Sequence, residues 1–349
     1  MRHHHVVNAP HVPAEPNPVA DPRHAGTRAA SGRRFVTREE LGGLVREAFG
    51  AGRRLVQVER LRGGSKKGVY RLLFDSGPSA VLYVWTEDED YWGGGRADEE
   101  PFSHASGLRL FEAAHARLTS LGVRVPHLYL ADGDRRHHPA DIALIEDVRG
   151  GTLEARPAKE ALDRLADGLS AMARCRSPEL GKVALVESGQ GIAKAGSGIV
   201  LERAVRDLAE AAARVEPIRA ERARLEDGLR ELAAGVAPRS GHGLVHGELG
   251  PDHVLLDEHD QPVLIDIEGA MFFDVEWEHV FLRIRFGDHY ERLRVDGLDE
   301  RRMRFYELAQ HLSLVAGPLR LLEGDFPDRE FMMGIVRHHT REALGFPLR

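Results

Sequence analysis

Apolar positions recur at two spacings along this chain, and the spacing changes part-way through. In FVTREELGGLVREAF, Leu41, Leu44, Val45 and Phe49 fall on one helical face, and Thr37 followed by Glu40 makes a capping box at its start. Three strand-like runs follow, LVQVERL, VYRLLF and AVLYVW, divided by GGSKKG and the turn DSGP. They predict an antiparallel meander with a glycine-containing loop between its first two strands. GLRLFEAAHARLTSLG reads as an amphipathic helix closed by Gly122, and HLYLA and DIALIEDV as two more strands. From about Thr152 the period becomes helical: KEALDRLADGLSAMARC, a long Ala-, Arg- and Glu-rich stretch from Ile199 to Ala234, and helices again toward the C-terminus. A strand-rich part followed by a strand-poor one predicts two lobes joined near EDVRGGT, one over residues 35–148 and one over 149–349. Residues 1–34, rich in Pro, Ala, His and Arg and without period, read as a disordered arm in which His3 to His5 are part of a solvated tail.

Composition narrows the class. A chain of 349 residues can bury a sizeable core, and 30% charged against 42% hydrophobic residues is the balance of a soluble globular protein. The net charge of −7 opposes a broad nucleic-acid or anionic-membrane footprint. Cys175 is the single cysteine, so no intrachain disulfide is expected and a reducing cytoplasm is the natural location. No apolar run approaches the ~20 residues that span a bilayer, and the N-terminus lacks the apolar core of a secretory signal.

The chemistry concentrates in GLVHGELGPDHVLLDEHDQPVLIDIEGA, Gly243 to Ala270. HVLLD, the turn EHDQ and PVLIDIE form a hairpin, with His246 and Glu248 just before it and Asp266 and Glu268 at its end. A hairpin brings its ends together, so Glu248 and Asp266 are expected close in space. Converging carboxylates repel unless a proton or a cation lies between them. A hard dication such as Mg²⁺, with oxygen ligands and substrate phosphates, is the natural partner.

These motifs resemble those of the aminoglycoside phosphotransferase-like small-molecule kinases, which share the protein-kinase fold. That family's pattern is His-Gly-Asp, four residues, Asn, then a hairpin ending in Ile-Asp-Phe/Trp-Glu/Asp; this chain reads HGELGPDH and then LIDIEGA. LRGGSKKGVYRLLF resembles the family's nucleotide-covering loop, ALIEDVRGGTL its hinge, and FFDVEWEHVFL its Gly-Asp-Pro-x-x-Asp-Leu-Ala segment. The resemblance runs over roughly residues 37–320. It implies an α+β, protein-kinase-like fold, with a small N-terminal antiparallel sheet lobe and a larger, mainly helical C-terminal lobe. It also implies transfer of the γ-phosphate of ATP or GTP to a hydroxyl of a small-molecule acceptor, with Mg²⁺.

The resemblance assigns roles residue by residue. Glu248 would orient and deprotonate the acceptor hydroxyl, and His246 would brace the loop. Asp266 would bind Mg²⁺, with His253 and Glu268 as further metal-side candidates. The backbone over Gly63, Gly64, Ser65, Lys66, Lys67 and Gly68 would cover the phosphates. Glu146 to Val148 would meet the base, and Asp274 would hold the catalytic loop from behind.

Three positions depart from the family pattern. Glu248 stands where the family has Asp, and the extra methylene moves the carboxylate by roughly 1.5 Å. Displacement of that order costs ~100-fold in rate unless the loop is rebuilt around it. His253 stands at the Asn position, and imidazole suits softer metals than Mg²⁺. Tyr83 stands where the phosphate-binding Lys is expected; Lys66 and Lys67 are candidates to supply its charge, and Glu112 loses the partner it would have had. These departures favour an alternative, a nucleotide-binding protein that has lost turnover. A third class, a metallohydrolase on His242, His246 and His253, has spacings of 4 and 7 that match no common zinc motif. In YVWTEDEDYWGGG, Glu87 to Asp90 between aromatic residues are candidates for binding a cationic acceptor, against a plain reading as an exposed acidic loop.

Overall fold

Burial on both faces explains why AVLYVW is apolar throughout instead of alternating. In the computed structural model this run is β3 (Ala80–Trp85), the central strand of a five-stranded antiparallel sheet with β1 (Leu55–Arg60), β2 (Gly68–Phe74), β4 (Leu128–Asp132) and β5 (Asp141–Glu146), in the order β1-β2-β3-β5-β4. Ala80, Leu82 and Val84 face Leu41, Leu44 and Val45 of a helical segment made of a 3-10 turn, Arg38–Leu41, and α1 (Gly42–Phe49). Val81 and Tyr83 face the opposite way, into a core shared with Phe111, Ala114 and Leu118 of α2 (Leu108–Ser120). The expected capping contact is present: Glu40 accepts the Thr37 amide at 2.8 Å. The structure describes residues 32–62, 64–93, 101–102 and 105–348; the N-terminal arm and Gly63 lie outside them.

The second part holds α3 (Lys159–Arg174), the two-residue strands β6 (Arg176–Ser177) and β7 (Gly181–Lys182), and α4 (Val183–Glu187). The long helical stretch from Ile199 to Ala234 is divided among three helices, α5 (Gly196–Arg214), α6 (Glu216–Ala220) and α7 (Arg222–Ala234). Val215 is extended, and Pro217, which cannot donate within a helix, sits in the first turn of α6. Next come β8 (His242–Val245), the hairpin β9 (Val254–Leu256) and β10 (Pro262–Leu264), β11 (Met271–Phe273), α8 (Val275–Phe286), α9 (Tyr290–Leu293), α10 (Glu300–Leu321) and α11 (Arg329–Gly345). β8 pairs with β11 and with β6, so the chain before the hairpin and the chain after it leave one small sheet side by side. Arg34–Arg349 forms one compact unit, and its larger core runs from β3 and β5 through α2 into the helices. The fold is α+β, a small antiparallel sheet joined to a larger helical region. Among the described residues no helix is long and apolar enough to cross a membrane.

Candidate active site

The backbone turns left-handed at Asp266, with φ 59° and ψ 43°, directly after β10. Asp is one of the few residues that adopt this conformation at modest cost. Opposite it lies the glycine-containing loop between β1 and β2. Lys67 Nζ is 2.6 Å from Asp266 Oδ1, 2.7 Å from Glu268 Oε1 and 4.7 Å from the centroid of the Tyr83 ring. The preceding residue, Lys66, places its Nζ 3.2 Å from Glu248 Oε2. The hairpin therefore delivers Glu248 and Asp266 to consecutive lysines of one loop.

The charges answer one another. The Lys66 ammonium holds the Glu248 carboxyl below its usual range, against the neighbouring Asp266 carboxylate. Burial alone would raise Asp266, but Lys67 and then His253 and Lys66 hold it well below the carboxylate range. Burial likewise opposes the charge on Lys67, and Asp266 and Glu268 overcome it, raising Lys67 well above the usual lysine range. Glu248 has 58% of its side chain exposed, whereas Lys67 has 6% and Glu268 3%. The site has an open wall at Glu248 and a sealed one at Lys67.

The loop that carries Glu248 is held from two sides. His246 donates from Nε2 to the Ile265 carbonyl at 2.9 Å, tying the residue two before Glu248 to the residue before Asp266. A carbonyl only accepts, so Nε2 carries the proton; burial pushes the ring's pKa down, and Nδ1 finds no hydrogen-bond partner among the described residues. Glu278 on α8 accepts the Gly247 amide at 2.8 Å, and burial raises the Glu278 carboxyl. Gly247 has φ 96°, a conformation glycine adopts freely and side chains resist.

Asp274, expected behind this loop, does something else. It is fully buried, bonded by Arg302 at 2.7 Å, by His242 at 3.1 Å and by Tyr306, and so joins β8 to α10. Glu278 does the holding. Its signal was present in FFDVEWEHVFL as the third acid, four residues after Asp274, but pattern alone does not say which of the three reaches the loop.

The remaining sites divide. His253 donates from Nδ1 to the Glu248 carbonyl at 2.8 Å, and its Nε2 lies 3.8 Å from Asp252 and 3.9 Å from Asp266. Glu268 faces Lys67 from the protein interior. Among the described residues no three His, Cys, Asp or Glu side chains gather as a metal cage, so Asp266, His253 and Glu268 do not form a preformed one. Mg²⁺ does not need one: it binds through one or two carboxylates plus substrate phosphates and water, a requirement that Asp266, with Asp252 nearby, fits. At the expected hinge, the Glu146 amide donates to the His127 carbonyl at 2.8 Å, and the Glu146 carboxylate is clasped by Arg124. Val148, the other end of the segment expected to meet the base, is buried. Glu112 is exposed on α2, away from this cluster of partners.

Loop braces went unseen in the sequence. Ser65 accepts the Trp92 indole at 3.1 Å and, through its carbonyl, the Tyr91 amide at 2.9 Å; Ser106 donates to the Lys66 carbonyl at 2.8 Å. Gly68 lies so close to Glu89 that a Cβ there would fall 2.6 Å from its carboxyl. Glu89 is 1% exposed, bonded by Arg60 at 2.7 Å and by Tyr70. The acidic–aromatic run is therefore a strut for the loop, and its Glu89 is not an exposed cation contact.

A small antiparallel sheet joined to a helical region, with Glu248 and Asp266 meeting one lysine-bearing loop, is the arrangement that the phosphotransferase resemblance implies. The chain belongs to the phosphotransferase enzyme family, which it matches over residues 31–316. A comparison with curated protein sequences gives no match. Among solved structures it is similar to a thermostable mutant of aminoglycoside phosphotransferase APH(4)-Ia, at 20% identity over 88% of this chain and 100% of that one, TM-score 0.58. It is also similar to spectinomycin phosphotransferase APH(9)-Ia in complex with ADP and spectinomycin, at 13% identity over 90% of this chain and 100% of that one, TM-score 0.64. Choline kinase LicA from Streptococcus pneumoniae aligns at 15% identity over 88% of this chain and 98% of that one, TM-score 0.56.

Proposed function

We propose that this protein transfers the terminal phosphoryl group of ATP or GTP to a hydroxyl of a small molecule. One observation carries the reading: Glu248 and Asp266 reach the same loop and meet neighbouring lysines there, at 3.2 Å and 2.6 Å. Phosphoryl transfer asks the protein mainly to position reactants and neutralise charge. In this reading the loop lysines receive the phosphates. Glu248, kept ionised by Lys66 and open to solvent, accepts the proton of the acceptor hydroxyl. His246 and Glu278 fix the backbone that carries it. Asp266 would hold Mg²⁺, which when bound supplies charge neutralisation of the nucleotide phosphates. The acceptor is a small molecule entering at the open Glu248 wall; a cationic acceptor follows by analogy alone from the choline kinase and spectinomycin phosphotransferase to which the fold is similar.

The second reading, nucleotide binding without turnover, is favoured by Tyr83 at the strand position and by the longer carboxylate at Glu248. One pair of experiments separates them. A thermal-shift screen with ATP and GTP, with and without Mg²⁺, should raise the melting temperature in proportion to affinity. Phosphate transfer to an acceptor panel should then be present in the wild type and lost in Glu248→Gln. No stabilisation by any nucleotide ends both readings; stabilisation without transfer leaves the second.

A further inference from the structure

The two loop lysines are not equivalent. Lys66 has one carboxylate partner, on the exposed Glu248. Lys67 has a built seat: it is buried, its ammonium contacts Asp266 and Glu268, and the Tyr83 ring lies beside it at 4.7 Å. Tyr83 is itself fixed edge-on against Trp85 and Phe111, with ring centroids 6.1 and 5.6 Å apart. The register explains the meeting. Tyr83 on β3 pairs with Val69 on β2, and Lys67 immediately precedes β2, so both side chains address one point from adjacent strands.

We infer that Lys67 is the residue that neutralises nucleotide phosphate in this site, carried on the loop that covers the phosphates and seated on Tyr83. The inference rests on the phosphotransferase reading above. An aromatic face attracts an ammonium but contributes no charge of its own, so Tyr83 positions the lysine without competing with phosphate for it. Glu268, 3% exposed, meets the ammonium from the interior, and Asp266, 33% exposed, meets it on the side nearer solvent. A lysine built at position 83 would reach about as far from the backbone as the tyrosine hydroxyl does, roughly 6 Å, which makes the two positions interchangeable in principle.

That interchange is the test. Binding of ADP and of adenosine to the full chain is measured by calorimetry for the wild type, Lys67→Met, Lys66→Met and the double variant Lys67→Met/Tyr83→Lys. Lys67→Met should weaken ADP by about 10- to 100-fold, the loss of a charge-assisted contact, while adenosine binding stays unchanged. Lys66→Met should weaken ADP less. The double variant should recover ADP affinity to within a few-fold of wild type. Unchanged ADP binding in Lys67→Met overturns the inference, as does equal loss of adenosine, or a double variant no better than the single. If Lys67→Met fails to fold because two acids lose their counter-ion, Lys67→Met/Glu268→Gln removes one of them and carries the same comparison. A wild type that binds neither ligand refutes the phosphotransferase reading itself, a result distinct from all of these.

Discussion

Lys66 Nζ and Glu248 Oε2 lie 3.2 Å apart although 182 residues separate them in the chain. The contact sets the charge of the candidate base, because the ammonium holds the Glu248 carboxyl below its usual range. Lys66→Met removes that hold, and the carboxyl should return toward the ordinary value of about 4.3 or above it. A base with a raised pKa loses its ionised form earlier as pH falls. The acid limb of the rate profile should therefore move to higher pH in Lys66→Met, measured as phosphate transfer across the acid range. An acid limb that does not move means that Glu248 is not the group that titrates.

A second relationship concerns stability. Arg302, 2% exposed, donates to Asp274 at 2.7 Å and to the Ala237 carbonyl, while Asp274 also takes bonds from His242 and Tyr306. Removing one partner of a buried pair leaves a desolvated charge behind, at a cost of about 3–5 kcal/mol. Arg302→Met should lower the unfolding free energy by that order in a urea titration. Asp274→Asn with Arg302→Met should recover part of the loss, since the stranded charge is then gone. A single variant within about 0.5 kcal/mol of wild type would mean that solvent reaches Asp274 after all.

The sheet was legible in the sequence because apolar runs of strand length lay between strong turn signals, and β1, β2 and β3 fall where LVQVERL, VYRLLF and AVLYVW predict them. The break at Pro217 was missed because the residues around it keep helical composition. At the site, the hairpin rule alone was enough to bring Glu248 and Asp266 together. The Lys67 seat was beyond it: contact with Tyr83 depends on the register of β2 against β3, and contact with Glu268 on a left-handed turn at Asp266 that no spacing reveals. That Glu278 and not Asp274 takes the Gly247 amide was hidden for a similar reason, since it depends on how α8 packs against the loop.

Histidines outside the cleft predict acid sensitivity. His311 of α10 and His339 of α11 are buried with their Nδ1 atoms 2.9 Å apart, one necessarily donating and the other accepting. Burial, with His338, Arg283 and Arg285 nearby, pushes them down to about 4 and about 3. Unfolded, each titrates near 6.5. Above that value both states are neutral and the pair has no pH-dependent effect. As pH falls below it, the unfolded chain takes up protons that the folded one refuses, so stability drops until the folded pKa is reached, by up to about 1.4 kcal/mol per pH unit and group. Thermal midpoints measured from about pH 7 to 5 should fall less steeply in His339→Phe than in wild type. Parallel curves would assign the acid sensitivity to other groups.

Asp266 joins two demands that substitution can pull apart. Its carboxylate meets Lys67, and its backbone sits at φ 59°, ψ 43°. Asn tolerates that backbone almost as well as Asp, whereas Ala does not, and the difference is about 1 kcal/mol. Both Asp266→Asn and Asp266→Ala remove the negative charge and so should abolish the Mg²⁺-dependent part of nucleotide stabilisation equally. Only Asp266→Ala should also lose the backbone contribution, giving a lower melting temperature than Asp266→Asn in the absence of any ligand. Should the two variants melt together, the left-handed turn is imposed by β10 and the Ile265 contact with His246, and the aspartate is there for its charge alone.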